Sequence, residues 1–380
     1  MPSHRRAVAA AAIAASLSCS GEQTSAFRTT SATGLRASAA PTLTPQESGT
    51  TQRFFAVSPV NARVAWASAR GGTYALTTDG GRTWISRQVP GGETLEFRDV
   101  EGVTDKVAYL MSAGEGSANR IYKTEDGGKT WTLQAQAGPD PRNFWDCFAF
   151  WTPRRGILMD DSVDGRFPVR RTTDGTHWTD IGDRLPPAQP GEGAFAASGT
   201  CAATQGENRA WLATGAAAQA RILATTDGGN TWRASVTPIR QGTATSGNAS
   251  VDFRDARHGM VGGGDVVDSA TPQNNVARSR DGGRTWELAT PTPFPGAVYG
   301  LTYTRNHRED NDDEGDDDND DGGHARRVVS TGPSGAAWTE NEGRTWTLLP
   351  GVTNCWSVGF ANERTGWLVC GGGLIWRLDF

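Results

Sequence analysis

Short apolar runs recur along the chain, each opened by a polar turn: "ARVAWAS" (62–68), "DKVAYLMS" (105–112), "RRGILMD" (154–160), "NRAWLAT" (208–214), "RHGMVGG" (257–263), "ARRVVST" (325–331) and "RTGWLVC" (364–370). Another run precedes each of them: "RFFAVSP", "FRDVEGV", "WDCFAFW", "SGTCAAT", "ASVDFRD", "YGLTYTR" and "CWSVGFA". Runs this short between turns read as strands. After each of the first six pairs comes an acidic, glycine-rich turn ending in Trp. Four copies are clean, Asp79 to Trp84, Asp126 to Trp131, Asp227 to Trp232 and Asp281 to Trp286. "TTDGTHW", with Asp174 and Trp178, is one residue short, and "TENEGRTW", ending in Trp346, has Asn341 in place of the Asp. The six Trp residues stand at 84, 131, 178, 232, 286 and 346, at intervals of 47, 47, 54, 54 and 60. A period near that length marks a repeat architecture. Each unit reads strand, turn, strand, hairpin, strand, Asp-Gly turn, strand. Seven four-stranded antiparallel units predict an all-β, seven-bladed β-propeller.

The seventh unit stops at "GLIWRLDF" (373–380) after three strands. The segment around Leu43 to Thr51 is expected to return and supply the fourth, which would close the ring and remove an open sheet edge. The propeller is otherwise assigned to residues 48–380, with residues 1 to about 47 read as a targeting segment and disordered linker.

Composition fits short strands and tight turns: the 380 residues include 48 Gly and 14 Trp, with 36% hydrophobic residues. The formal net charge of −5 is set by one stretch, "HREDNDDEGDDDNDDGGH" (307–324), with ten acids and one Arg; without it the balance is 36 bases against 32 acids. The body is therefore near neutral, with no dense Lys/Arg stripe, so a nucleic-acid partner is not expected. The tract reads as a solvated, disordered loop insertion between the first two strands of the sixth unit. Its "DNDDEG" (310–315) also has the start of a calcium-loop pattern, so weak Ca2+ binding is a second reading; no other cofactor or metal is expected.

At the N-terminus "HRR" (4–6) precedes the apolar "AVAAAAIAASLS" (7–18), an export signal too short to span a bilayer comfortably. Two destinations stay open. "SLSC" (16–19) resembles a bacterial lipoprotein box, with Cys19 bearing the lipid and giving the one route to membrane association. "TSAF" (24–27), followed by an acid-free Ser/Thr-rich stretch with two Arg, resembles a plastid-targeting junction. The protein is thus exported, to a bacterial periplasm or outer membrane or to a plastid lumen. Cys147, Cys201, Cys355 and Cys370 remain in the body. No CxxC spacing supports metal or thioredoxin-like chemistry. Cys147 with Cys201, in adjacent units, and Cys355 with Cys370, across a hairpin, are candidate disulfides; free buried thiols are the other reading.

The repeated turns resemble Asp-box, or sialidase-type, repeats, Ser/Thr-x-Asp-x-Gly-x-Thr-Trp. That resemblance implies a structural clip on the periphery, at the hairpin between the third and fourth strands, away from the axial face. Asp-Gly supplies positive backbone angles, the carboxylate and the Thr hydroxyl accept backbone N–H bonds, and Trp fills space between blades. Over about residues 50–380 the chain is similar to the photosystem II stability/assembly factors. This implies a non-enzymatic scaffold binding a protein partner, an unassembled membrane-protein subunit, and acting as a monomer.

Catalytic patterns are sparse. Sialidases have a Phe/Tyr-Arg-Ile-Pro motif, an arginine triad and a tyrosine nucleophile; the first unit reads "QRFFAVSP", and "FRDV" (97–100) lacks the proline. Tyr299, on a first strand, is the one tyrosine retained as a candidate. No GxSxG, P-loop or dinucleotide motif is present. One patch stands out. "DDSVDGRFPVRR" (160–171) gathers Asp160, Asp161, Asp164, Arg166, Arg170 and Arg171, and "GEGAFAASGTC" (191–201) adds Glu192, Phe195 and Ser198. The pair of segments resembles a bacterial branch of these propellers labelled oxidoreductase-like or assembly-factor-like, and it is expected either to meet at one face as a binding pocket or to form a salt-bridged loop. A sialidase-like glycoside hydrolase and a non-catalytic carbohydrate-binding propeller are the alternatives to a protein scaffold.

Overall fold

The computed structural model describes residues 40–304 and 326–380. Twenty-eight strands, β1 to β28 in chain order, form seven four-stranded antiparallel sheets among these residues. The first strand of each blade is its innermost: β2 (Phe54–Pro59), β6 (Glu96–Gly102), β10 (Trp145–Thr152), β14 (Ala202–Gln205), β18 (Ser246–Phe253), β22 (Gly300–Tyr303) and β26 (Cys355–Phe360). Each inner strand touches that of the next blade, and β26 touches β2, so the ring is continuous.

Closure uses the two ends of the propeller. The last sheet runs β1 (Thr42–Glu47), β28 (Leu374–Asp379), β27 (Thr365–Cys370), β26, with Thr42 opposite Asp379 and Glu47 opposite Leu374. The expected closure by the segment around Leu43 to Thr51 is thus observed, with the strand at Thr42–Glu47, so the propeller begins before residue 48. Its Gln46 is buried between blades, where Oε1 accepts the indole N–H of Trp84 at 2.9 Å and of Trp367 at 3.1 Å.

The Asp-Gly turns join the third and fourth strands. In the first, Thr77 Oγ1 accepts the Gly81 N–H at 2.8 Å, while Asp79 accepts the Thr83 N–H at 2.9 Å and its hydroxyl at 2.7 Å. The carboxylate reaches four residues on, across a turn with two left-handed glycines, φ +80° and +83°. The Thr83 N–H and hydroxyl hold the Asp79 carboxyl down at about 2. Asp126, Asp227 and Asp281 repeat these bonds with Thr130, Thr231 and Thr285. In the short copy His177 replaces Thr, its Nδ1 lying 2.6 Å from Asp174; in the last, Asn341 accepts the Thr345 N–H at 2.9 Å. Three of the turn Trp residues reach back to the preceding blade: Trp131 packs edge-on to Trp66 and Tyr74, Trp286 donates to Ser235 Oγ, and Trp346 donates to Thr290 O. Trp178 lies edge-on to Phe150, and Trp232 donates to Gly229 O within its own turn. Second-strand aromatics reach forward, Trp66 to Thr104 O and Trp211 to Gly282 O. Such contacts bolt blade 1 to blade 2, blade 4 to blade 5 and blade 5 to blade 6 at the rim.

Asp227→Ala removes acceptors for the Thr231 hydroxyl and for the Asn230 and Thr231 N–H groups. It is expected to lower stability by about 1–2 kcal/mol, read as a shift in the urea midpoint at unchanged slope.

Cys147 and Cys201 are disulfide-bonded across blades 3 and 4, and Cys355 and Cys370 across the β26–β27 pair, where they stand opposite each other in register. The acidic tract and its candidate calcium loop, like Cys19 and the targeting motifs, lie outside the described residues; the flanks of the tract do end β22 and begin β23 (Val328–Gly332).

Candidate functional site

Five inner strands share an irregularity. The register with the second strand skips one residue near the start of β2, β6, β10, β18 and β26, and the skipped residues are Phe55, Arg98, Asp146, Ala249 and Trp356. A bulge of this kind turns a side chain out of the alternating pattern. Repeated around the ring, it brings Phe55, Arg98 and Trp356 together at one axial mouth, while Asp146 and Ala249 are buried. Phe55 meets Trp356 edge-on, 5.5 Å between centroids, and Trp356 meets Tyr299 at 5.0 Å. The Arg98 guanidinium lies over Phe55 at 4.1 Å and Arg53 over Trp356 at 4.8 Å. Glu96 is shared by Arg98 Nε (2.9 Å) and Arg70 Nε (2.7 Å). Arg53 has no carboxylate partner among the described residues. This end of the ring lies opposite the Asp-Gly turns, whose glycine N–H groups bond to the turns that follow the inner strands, as Gly80 does to Arg63 O.

In blade 4 the inner strand starts late, because residues 192–200 leave the blade and cross the axis. Arg98 Nη1 donates to Ala196 O at 2.8 Å, Ser198 Oγ to Tyr299 O at 2.6 Å, and Thr200 Oγ1 to Ser250 Oγ at 2.8 Å. Gly199 (φ +71°) lies so close to Asp99 that a Cβ would fall 2.3 Å from its Oδ1. The segment is an axial plug, and the disulfide at Cys201 anchors its end.

The charged patch read from the sequence does not form one site. Asp160 ends β11 (Arg155–Asp160), and Asp161 follows it beneath the plug. Asp160 is buried, pairs with Arg170 Nη1 at 2.8 Å and accepts the Phe144 N–H at 3.1 Å. Asp161 accepts the Ala194 N–H at 2.9 Å. Arg171, next along the strand, points the other way and donates to Gly228 O in blade 4. Asp164 and Arg166 belong to a tight surface turn closed by Val163 N–H to Arg166 O. Asp164 pairs with Arg142, and Arg166 with Asp180 and Asp183. Glu192 is buried against Arg221 Nε (2.8 Å) and Thr214 Oγ1 (2.6 Å). Phe195 alone reaches the axial mouth, in one cluster with Tyr299 and Trp356, while Ser198 is buried in the plug and faces the cavity beneath it.

Sequence reasoning passed over Asp146. Its side chain is 1% exposed; both oxygens are shielded from water and meet no N–H or O–H donor. Their close neighbour is the Asp161 carboxyl. Two carboxylates in contact cannot both ionise, and one proton between them supplies the missing donor. Burial, with Asp161 and Asp160 nearby, pushes Asp146 well above the usual carboxylate range, and burial likewise lifts Asp161 to about 6.

Below the plug, on the axis, lies a cavity of about 720 Å³ lined by all seven inner strands. Pro59, Val103, Thr152, Pro153 and Gly206 form its rim, so it opens on the face of the Asp-Gly turns.

No protein-family model and no curated protein matches the chain. Solved structures do. The chain is similar to YCF48 bound to D1 peptide, with 14% identity over 89% of this chain and 95% of that one (TM-score 0.58). It is similar to YCF48 from Cyanidioschyzon merolae, with 14% identity over 90% and 99% (TM-score 0.58). A catalytically inactive virginiamycin B lyase from Staphylococcus aureus, with quinupristin, aligns at 11% identity over 89% and 100% (TM-score 0.58). One of these proteins holds a peptide and another is named as a lyase, so the likeness carries the fold, a seven-bladed β-propeller, and leaves function to the site.

Proposed function

We propose that the protein is a non-enzymatic, exported propeller scaffold that holds an extended segment of a protein partner at the plugged axial mouth. The observation that carries this reading is the cation–aromatic platform. Arg53 stacks on Trp356 without an acidic partner, beside Tyr299, Phe195 and the Arg98–Phe55 pair. Aromatic and arginine side chains of this kind dominate binding energy at protein interfaces. The excess cation favours a segment bearing a carboxylate. YCF48, a fold neighbour, is recorded with a bound peptide, which supports a peptide as the ligand class. By the same resemblance the partner is an unassembled membrane-protein subunit and the destination a plastid lumen. A lipid on Cys19 would favour the bacterial envelope instead, and mass spectrometry of the mature N-terminus separates the two.

A hydrolase reading finds less support. The Tyr299 hydroxyl donates to Val266 O at 2.6 Å rather than to a carboxylate base. Asp146 and Asp161 touch, whereas glycosidase carboxylates stand about 5 Å or more apart.

The test is panning of a phage-displayed peptide library against the wild type and against Trp356→Ala and Arg53→Ala. Acid-bearing sequences should be enriched on the wild type and bind about tenfold or more weakly to either variant. Enrichment unaffected by both substitutions, or robust turnover of fluorogenic glycosides, would overturn the proposal.

A further inference from the structure

The plug sits directly on the carboxyl pair. Asp161 accepts the Ala194 N–H at 2.9 Å, and Glu192 O accepts the Ser162 N–H at 3.3 Å. A Cβ at Gly193 would fall 2.0 Å from Asp161 Oδ1, so the chain crosses flush against that carboxyl. Asp146, in contact with Asp161, is 1% exposed, and its two oxygens meet no N–H or O–H donor. A buried carboxylate without donors is costly, and a proton shared with the neighbouring carboxyl relieves that cost.

The other charges around the pair do not replace this proton. Asp160 opposes ionisation and is itself paired with Arg170 on β12 (Arg170–Thr172). Glu192, on the plug, is turned away to Arg221. Asp99, beneath the far end of the plug at Gly199, is bonded to the N–H groups of Val100 and Phe148. Arg98 favours an ionised Asp146, but its guanidinium is engaged by Glu96, Phe55 and Ala196 O.

Lifting the plug admits water to the pair, and a solvated aspartate ionises at its ordinary value. Opening therefore releases the proton that Asp146 holds. A state that releases one proton gains about tenfold in population per unit rise in pH. Above about 6, Asp161 is already charged in the closed state, and Asp146 alone supplies the linkage.

We propose that residues 192–200 form a proton-linked latch over the axial mouth, held shut by the Asp146–Asp161 carboxyl pair and loosened as that pair gives up its proton to solvent. Low pH secures the latch and rising pH weakens it. The latch carries Phe195, which packs with Tyr299 and Trp356, and Ala196 O, which anchors Arg98. The binding platform is thus fully assembled only when the latch is shut. That consequence rests on the peptide reading above; the latch itself does not.

Amide hydrogen exchange of the full-length protein between pH 6.5 and pH 8, corrected for the intrinsic pH dependence of exchange, tests the latch. Protection of residues 192–200 should lie below that of β3 (Ala65–Ala69) throughout and should fall by about tenfold per pH unit. In Asp146→Asn the fall should vanish, because no proton is left to release. Should that variant fold poorly, Asp161→Asn, whose amide offers Asp146 a donor, should roughly halve the slope or reduce it further. Equal slopes in the wild type and the folded variants, or plug amides as protected as those of β3, would overturn the latch. Peptide panning at a single pH is untouched by either result, and loss of peptide binding in Trp356→Ala leaves the latch standing.

Discussion

Asp146→Asn is expected to make the protein more stable at pH 8 and to flatten its loss of stability between about pH 4 and pH 8. The wild-type pair holds one proton between Asp146 and Asp161 in the folded state. In the unfolded chain both carboxyls ionise at ordinary carboxylate values. A carboxyl whose folded-state value is raised binds more protons folded than unfolded over the interval between the two, so stability falls as pH rises through it. For Asp161 the interval runs from 3.8 to about 6; above it Asp161 is charged while Asp146, pushed well above the usual carboxylate range, still holds the proton that the unfolded chain has lost. Two units correspond to about 3 kcal/mol. The charges facing the pair set the remainder: Arg98 favours ionisation of Asp146, while Asp160 opposes it and is itself engaged by Arg170. An amide in place of the Asp146 carboxyl donates to Asp161 once that group ionises, with no proton to be retained, so the Asp146 contribution to the loss of stability disappears. Urea midpoints of both proteins at pH 5 and pH 8 check this. The wild type should lose roughly 1–3 kcal/mol relative to the variant between the two values. Parallel pH profiles would show that the two carboxyls do not share a proton.

That pair also shows where sequence reading stopped. The blades were legible because each unit repeats its own strands, turn and Trp, and because an Asp-Gly turn fixes which strands it joins. The axial mouth was not legible, because a bulge is a mismatch between two strands and leaves no mark in either one alone. Arg98 and Asp146 sit inside "FRDVEGV" and "WDCFAFW", where they read as ordinary strand residues. Placing the inner strands one above another brings Phe55, Arg98, Asp146 and Trp356 into a single column, the signal that would have exposed them. The patch at 160–171 failed for the opposite reason, because nearness along the chain stood in for nearness in space. Arg170 and Arg171 are neighbours on one strand and therefore face opposite sides, one toward Asp160 and the other toward the next blade. Asp164 and Arg166 flank a reversal and turn outward. The plug was half visible. Small residues at 193–201 suit a segment threaded between packed surfaces; a Cβ at Gly193 would fall 2.0 Å from Asp161 Oδ1.

Removal of residues 40–47 is expected to abolish cooperative folding of the propeller, the largest effect foreseen for any change away from the inner ring. Without β1, strand β28 becomes an unpaired edge and the first and last blades lose their shared strand, so the ring has no closing element. The contribution does not come from burying a large apolar face, since "TLTPQE" is mostly polar and partly exposed. It comes from six paired residues and from Gln46, which satisfies the indoles of Trp84 and Trp367 on the two sides of the seam and donates from Nε2 to Gly80 O at 3.3 Å. Both indoles are buried, so Gln46→Ala leaves two shielded N–H groups without acceptors, each worth about 1–3 kcal/mol. The point variant should therefore fold, with stability reduced by roughly 2–4 kcal/mol after partial relaxation. Arg377, which reaches Gly80 O at 2.7 Å from β28, keeps one bond across the seam in that variant and in the truncated chain alike. The truncated chain should be readily digested by chymotrypsin under conditions that spare the full chain, and a synthetic peptide of residues 40–52 should restore resistance by adding back the missing strand. Full protease resistance without the peptide would mean that the seam holds through Arg377 and the core around Trp84 and Trp367, and that β1 is a passenger on a ring already closed.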